Sequence, residues 1–265
     1  MNPTTTIAVR AARQAGSIIM RSFGRLDTLT VAEKQANDYV SEVDRNAEAA
    51  IIDVIRKAYP AHAILAEESG AQGKDEYQWV IDPLDGTTNY LHGFPQFAVS
   101  IALTHRGRLE NAVVYDPVHD EMYTAVRGSG ALLNDRRLRV SEIKGLKGAL
   151  IGTGIPFRDQ RFIDPYLGML KALARETAGI RRPGSAALDF AYVAAGRIDG
   201  FWELGLSQWD FAAGALLVQE AGGVVSDIGG GSRHLETGNV IAAGVRLHRE
   251  MVKTITPHLV DGLRA

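Results

Sequence analysis

The chain has 265 residues, 46% of them hydrophobic and 23% charged, with no cysteine and a formal net charge of −2. A chain of this size buries roughly three quarters of its unfolded surface, so neither a disulfide nor a metal is needed merely to fold it. The absence of cysteine excludes a disulfide framework, a zinc–thiolate site and a cysteine nucleophile, and the near-neutral charge gives no general reason to bind nucleic acid.

Ile7, Ala11, Ala15, Ile18, Ile19 and Phe23 recur at helical spacing, with Thr4 or Thr5 as a cap and Gly24 as a stop. A second helix begins at Ser41, where Ser41 and Asp44 form a capping pattern, runs through Ala47, Ile51 and Ile55, and ends at Pro60. Short apolar runs at Ala63 to Ala66 and Trp79 to Ile81 predict strands that each end in acids. Strand ends are where layered α/β proteins bind ligands. Phe97 to Thr104, Leu109 to Tyr115 and Glu121 to Val126 predict an antiparallel sheet, broken by turns at Arg106-Gly107 and Asp116-Pro117. The basic cluster from Asp135 to Arg139 reads as a solvated hairpin.

The second half alternates: a strand at Ala149 to Thr153, a helix over Pro165 to Ala178, a helix opening at Gly184, a strand at Ile198 to Glu203 and a helix from about Trp209 that Gly222-Gly223 ends. Two packed sheets with helices between and outside them fit this order, giving a mixed α+β fold. One domain over 1–265 is expected, made of halves 1–145 and 146–265 that meet near Ile143 to Gly148. The first residues lack a basic region followed by an apolar run, and no stretch approaches the ~18 apolar residues of a membrane span. A cytoplasmic protein without membrane contact is expected.

The most informative segment is Asp82-Pro83-Leu84-Asp85-Gly86-Thr87-Thr88-Asn89. Between Ala63 and Leu91 the only basic residue is Lys74, so local ion pairs cannot neutralise Glu67, Glu68, Asp82 and Asp85. Each acid alone has an ordinary structural use: Asp82 would cap a turn, Asp44 and Asp210 their helices, and Glu203 would face water at a strand end. If they converge, each like-charged pair about 4 Å apart costs on the order of 4 kcal/mol, so the cluster needs protons or cations. Oxygen-only ligands favour magnesium, calcium or manganese. Glu67, Asp82, Asp85 and Asp210 would balance two divalent ions, and a third would help balance a phosphate. Gly86 and Thr87 amides would add donors to that phosphate.

Four motifs in order resemble the signature of the inositol monophosphatase family, the magnesium-dependent, lithium-sensitive sugar phosphatases. They are Glu67-Glu68-Ser69, the segment at 82–89, Gly184-Ser185-Ala186-Ala187 and Trp209-Asp210-Phe211-Ala212-Ala213-Gly214. The segments at 181–189 and 191–197 are similar to the bacterial SuhB-type branch of that family. The resemblance covers nearly the whole chain and implies a layered α-β-α-β-α sugar phosphatase fold, dimeric, acting on inositol 1-phosphate through water activated by magnesium. It implies that Glu67, Asp82, the Leu84 carbonyl, Asp85 and Asp210 ligate two magnesium ions, with Asp44 helping to hold a third through water. Glu67 and Thr87 would polarise the attacking water. Asp85, the Ala186 amide and Glu203 would contact hydroxyls beside a phosphate held near Gly86, Thr87 and Asp210, and Lys34, in a loop from Lys34 to Tyr39, would close over the site.

Neither a Gly-x-x-x-x-Gly-Lys loop nor a Gly-x-Gly-x-x-Gly turn is present, which argues against nucleotide binding by those routes. Fructose 1,6-bisphosphate, histidinol phosphate and dinucleotide phosphates remain alternative substrates. The resemblance also implies a second class of function, partnership with the transcription elongation machinery in ribosomal antitermination, with Arg181-Arg182 near the expected dimer interface.

Overall fold

The computed structural model describes residues 2–25, 31–35, 38–157 and 159–263. Helix α1 (Pro3–Phe23) buries an alanine-rich stripe through Ala8, Ala11, Ala12, Ala15 and Ile19. Its cap is Asn2, which accepts the Thr4 amide at 3.0 Å, rather than Thr4 or Thr5. Pro3 takes the first helical position, where a missing N–H costs nothing, and so moves the start forward in the chain. Strands β1 (Val31–Gln35) and β2 (Asp38–Ser41) then pair antiparallel, Val31 with Ser41 and Glu33 with Tyr39. The expected loop at Lys34 to Tyr39 therefore begins and ends in paired strand residues, with 36–37 and the Lys34 side chain outside the described residues. Helix α2 (Glu42–Ala58) begins at the Ser41 cap, as the capping pattern predicts.

Next come β3 (Ala63–Ala66), β4 (Gly70–Gln72), β5 (Tyr77–Asp85), a short α3 (Thr87–Leu91), β6 (Ala98–His105), β7 (Arg108–Asp116), β8 (Glu121–Val126), β9 (Gly130–Leu133) and β10 (Arg136–Arg137). The strands form one sheet in the order β10-β9-β8-β7-β6-β5-β3-β4. From β5 to β10 it is antiparallel, and Arg136 and Arg137 sit exposed on the edge hairpin. The pairing of β3 with β5 is parallel, so the whole sheet is mixed. The remaining elements are β11 (Leu150–Thr153), α4 (Ile163–Glu176), β12 (Gly179–Arg181), α5 (Ala186–Ala194), β13 (Gly200–Glu203), α6 (Gln208–Glu220), β14 (Gly223–Asp227), α7 (His234–Thr237), β15 (Val240–Gly244) and α8 (Val245–Ile255). They build a second sheet, β12-β11-β13-β15-β14, parallel on one side and antiparallel on the other.

Three apolar cores bind the layers. Helices α1 and α2 cover the outer face of the first sheet, α5 and α6 lie between the sheets, and α4 and α8 cover the outer face of the second. This is the expected α-β-α-β-α stack. Every residue of α6 from Asp210 to Val218 is buried, because an interior helix must be apolar nearly all round. A single acid, Asp210, stands at the start of that stretch, in the first turn of the helix.

Candidate active site

The β3–β5 pairing ends with Ala66 opposite Ile81, and the Glu67 amide donates to the Ile81 carbonyl at 3.1 Å. Glu67, just past β3, is therefore a neighbour of Asp82, which stays in β5 opposite Ser100 of β6. Pro83 follows with no N–H to give the ladder, and the β5–β6 register slips between Asp82 and Asp85. The Leu84 amide turns back to Asp82 Oδ1 at 2.9 Å. Gly86 then swings the chain into α3 with φ of 94°. A Cβ there would stand 2.8 Å from the Gln96 carbonyl oxygen and 3.3 Å from Phe97 Cα, so both conformation and space call for glycine.

Two of the acids are helix N3 residues. Asp44 Oδ2 accepts the Ser41 amide at 2.9 Å and the Ser41 hydroxyl at 2.5 Å, and Asp210 Oδ2 accepts the Ser207 amide at 2.7 Å. The ordinary capping use of both is thus real, and each carboxylate still has a second oxygen. For Asp44 that oxygen, Oδ1, lies 3.0 Å from the Thr87 hydroxyl, which is also 3.0 Å from the Leu84 carbonyl. Thr87 has one proton for two acceptors, so donating it to Asp44 relieves the Leu84 oxygen. Asp44 itself is wholly buried, one layer behind the cavity wall.

Asp85 joins the halves of the molecule. Its Oδ2 accepts the Ser185 hydroxyl at 2.5 Å and the Ala187 amide at 2.8 Å, from the N-terminus of α5, 100 and 102 residues along the chain. Ser185, not Gly184, caps that helix. Asn89 adds a second tie, donating to the Gln96 and Pro183 carbonyls at 2.8 and 2.9 Å.

These elements surround a cavity of about 580 Å³ whose wall includes Glu67, Asp82, Leu84, Asp85, Gly86, Thr87, Ala186, Glu203 and Asp210. All the sequence-derived site residues but Asp44 and Lys34 therefore border one space. Burial pushes the Asp82 carboxyl well above the usual carboxylate range, and the nearby charges of Glu67, Asp85 and Asp210, with a hydrogen bond to Glu67, push it further. Asp44 is also raised by burial, against the pull of its hydrogen bonds from Ser41 and Thr87. Among the described residues no three acidic or histidine side chains close into a complete ion cage by themselves. The fit to a cation lies elsewhere: a buried carboxyl held up in pKa by three like charges is relieved by positive charge, and the donors are all oxygen, the set hard divalent ions prefer.

Two buried acids were missed from sequence. Glu48, on α2, accepts the Glu68 and Ser69 amides at 2.8 and 3.0 Å and so holds the turn that presents Glu67. Asp189, on α5, borders the cavity, and its carboxyl is raised by burial and then by the Glu203 and Asp85 charges, with Arg182 opposing. Asp189 carries a usable signal, as the lone acid on an otherwise apolar helix, whereas Glu48 shares its buried face with Asp44 and carries none. The far wall is apolar, built from Ile155, Pro156, Phe157 and Phe162, with the Arg182 guanidinium 5.4 Å from the Phe157 ring centre.

The profile of the inositol monophosphatase family matches residues 1–261. The chain belongs to the inositol monophosphatase family. It is 58% identical over 271 residues to the Nus factor SuhB of Pseudomonas aeruginosa, with both chains covered in full. Among solved structures it is similar to the extragenic suppressor protein suhB of Bartonella henselae, at 45% identity and a TM-score of 0.94, covering 97% of this chain and 99% of that one. It is also similar to the inositol monophosphatase of Anabaena, at 39% identity and a TM-score of 0.86, covering 96% and 95%. The family fold is thus the observed layered fold, and the bacterial SuhB-type branch is the one the chain falls in. No described helix is long and apolar enough to cross a membrane.

Proposed function

We propose that the chain is a cytoplasmic, dimeric, magnesium-dependent phosphatase of inositol 1-phosphate and related polyol phosphates, a reading that its family membership supports. The observation that carries this is the arrangement of Glu67, Asp82, Asp85 and Asp210 around one cavity, drawn from the residue after β3, the last residues of β5 and the start of the buried helix α6.

Glu67, Asp82, the Leu84 carbonyl, Asp85 and Asp210 would hold two magnesium ions, with Asp44 behind them for a third. Bound magnesium supplies positive charge against the phosphate oxygens and makes the attacking water more acidic. Glu67 and Thr87 accept hydrogen bonds from that water and turn its lone pair towards phosphorus. Asp44 accepts the Thr87 proton and so holds that hydroxyl in place. Gly86 and Thr87 sit beside the phosphate, while Asp85, Ala186 and Glu203 meet the hydroxyls of the leaving group. No protein nucleophile takes part. The test is phosphate release from inositol 1-phosphate, fructose 1,6-bisphosphate, histidinol phosphate and a dinucleotide phosphate side by side. The highest kcat/KM on inositol 1-phosphate supports the reading, whereas a higher value on another ester moves the substrate and keeps the chemistry.

A second reading is favoured by the name of the Pseudomonas aeruginosa relative, a Nus factor. The chain would then also join the transcription elongation machinery, through an exposed surface that includes Arg181 and Arg182. Recovery of elongation factors on the immobilised chain, lowered by Arg182→Ala, supports this role, and no recovery at all refutes it.

A further inference from the structure

Strands β11 and β13 run parallel with Thr153 opposite Trp202, so Gly154, just past β11, and Glu203, the last residue of β13, are neighbours. Gly154 is buried, Glu203 is half-buried, and both border the cavity. A Cβ on Gly154 would fall inside the Glu203 carboxylate: Oε1, Cδ and Oε2 of that side chain are its three nearest atoms. Gly152, two residues earlier, differs in kind, since a Cβ there meets the core side chains Ile198 and Phe201 at 2.9 and 3.2 Å.

The backbone does not explain the glycine. Gly154 has no positive φ, so alanine or serine could follow the same path. The Thr153 hydroxyl, 3.2 Å from both the Gly154 carbonyl oxygen and the Tyr166 hydroxyl, helps to hold the strand end in place. What the absent side chain leaves is a seat for one carboxylate on the cavity wall. An added methyl would meet only the far end of a flexible side chain, which can move without unfolding the sheet.

We infer that Gly154 is a positioning residue for polyol recognition: its bare Cα seats the Glu203 carboxylate, and a side chain at 154 displaces that carboxylate and weakens the preference for hydroxyl-bearing phosphate esters. This rests on the reading of Glu203 as a contact for the hydroxyl beside the phosphate. A site built to hydrogen-bond a hydroxyl discriminates strongly against esters that lack it, and a displacement of about 1 Å at such a contact can cost on the order of 100-fold.

The experiment measures kcat/KM of the full chain with magnesium on inositol 1-phosphate and on p-nitrophenyl phosphate, which has no hydroxyl to read. The quantity followed is the ratio of the two values. Gly154→Ala is expected to lower the ratio about 10- to 100-fold, and Glu203→Ala to lower it as well. In the Glu203→Ala background, adding Gly154→Ala is expected to change the ratio by no more than about twofold, since the glycine acts only through that carboxylate. An unchanged ratio in Gly154→Ala, an additive double variant, or a Gly154→Ala chain that no longer folds would each overturn the inference. A wild-type chain inactive on both esters would overturn the phosphatase reading and this one with it, whereas an active wild type whose ratio ignores Gly154 overturns this one alone.

Discussion

Replacing Ser185 by alanine removes one hydroxyl that serves both halves of the molecule. The hydroxyl donates to Asp85 Oδ2 at 2.5 Å and accepts the Leu188 amide at 3.4 Å as the cap of α5, and the residue is 1% exposed. A hydrogen bond to a charged group contributes about 1.5–3 kcal/mol, and a lost serine cap costs about 1 kcal/mol, of which the long Leu188 contact takes the lower part. The combined loss is about 2–4 kcal/mol, or roughly 4–8 °C in melting temperature for a chain of this size. Asp85 keeps the Ala187 amide at 2.8 Å but loses the partner that fixes its rotamer. Groups that orient a metal ligand are typically worth about 10- to 100-fold in metal affinity, so the magnesium concentration for half-maximal phosphate release should rise by that factor. Thermal unfolding and a magnesium titration of activity measure both effects. A variant that melts within 1 °C of wild type and needs no more magnesium would refute the claim that Ser185 holds Asp85 in its working position.

Three further outcomes follow from the same structure. Asp82→Asn keeps an oxygen for the Leu84 amide but removes a carboxylate from beside Glu67, Asp85 and Asp210; in chelator it should melt a few degrees above wild type, for a gain of about 1–2 kcal/mol, and should lose the stabilisation that magnesium gives wild type. A lower melting temperature in chelator would count against the repulsion argument. Gly86→Ala forces a left-handed residue against two backbone atoms and should cost about 2–5 kcal/mol in urea unfolding; a cost under about 1 kcal/mol would contradict the geometry. Burial holds His234 and His248 below the ordinary histidine value of 6.5, so the unfolded chain takes up protons there before the folded one does. Stability should be full above pH 6.5 and fall as the pH drops below it, and His248→Gln, which removes the group 2.7 Å from the Ser226 hydroxyl, should flatten part of that slope between pH 7.5 and 5.5. An identical slope would mean that His248 does not titrate on unfolding.

The parts of the fold legible in the sequence are those written locally. Ser41 and Asp44 are three residues apart, and the capping box that they predict is present to the residue. Strands β6 to β8 were readable from apolar runs between turn signals, and the layer order from the alternation that follows. Short edge strands such as β4 and β12 hold three residues each, too few to display a period. The start of α1 was misplaced because two good caps, Asn2 and Thr4, compete, and Pro3 decides between them. At the site, the identity of the acids was legible, but their supports were not. Asp85 is held from 100 residues away, and the Gly154 seat for Glu203 depends on the parallel register of two strands, which no local pattern encodes. Glu48 was hidden for the same reason, since its partners are amides about 20 residues further along the chain.

The central claim is that the carboxylates around the cavity work with magnesium on a polyol phosphate. Its most direct test is phosphate release from inositol 1-phosphate over a magnesium titration, by wild type and by Asp85→Asn, which keeps the shape of the side chain and removes its charge. The account predicts release that saturates with magnesium, is abolished by chelator, and falls by at least about 100-fold in the variant. Equal release with and without magnesium, or an Asp85→Asn chain as active as wild type, would contradict it.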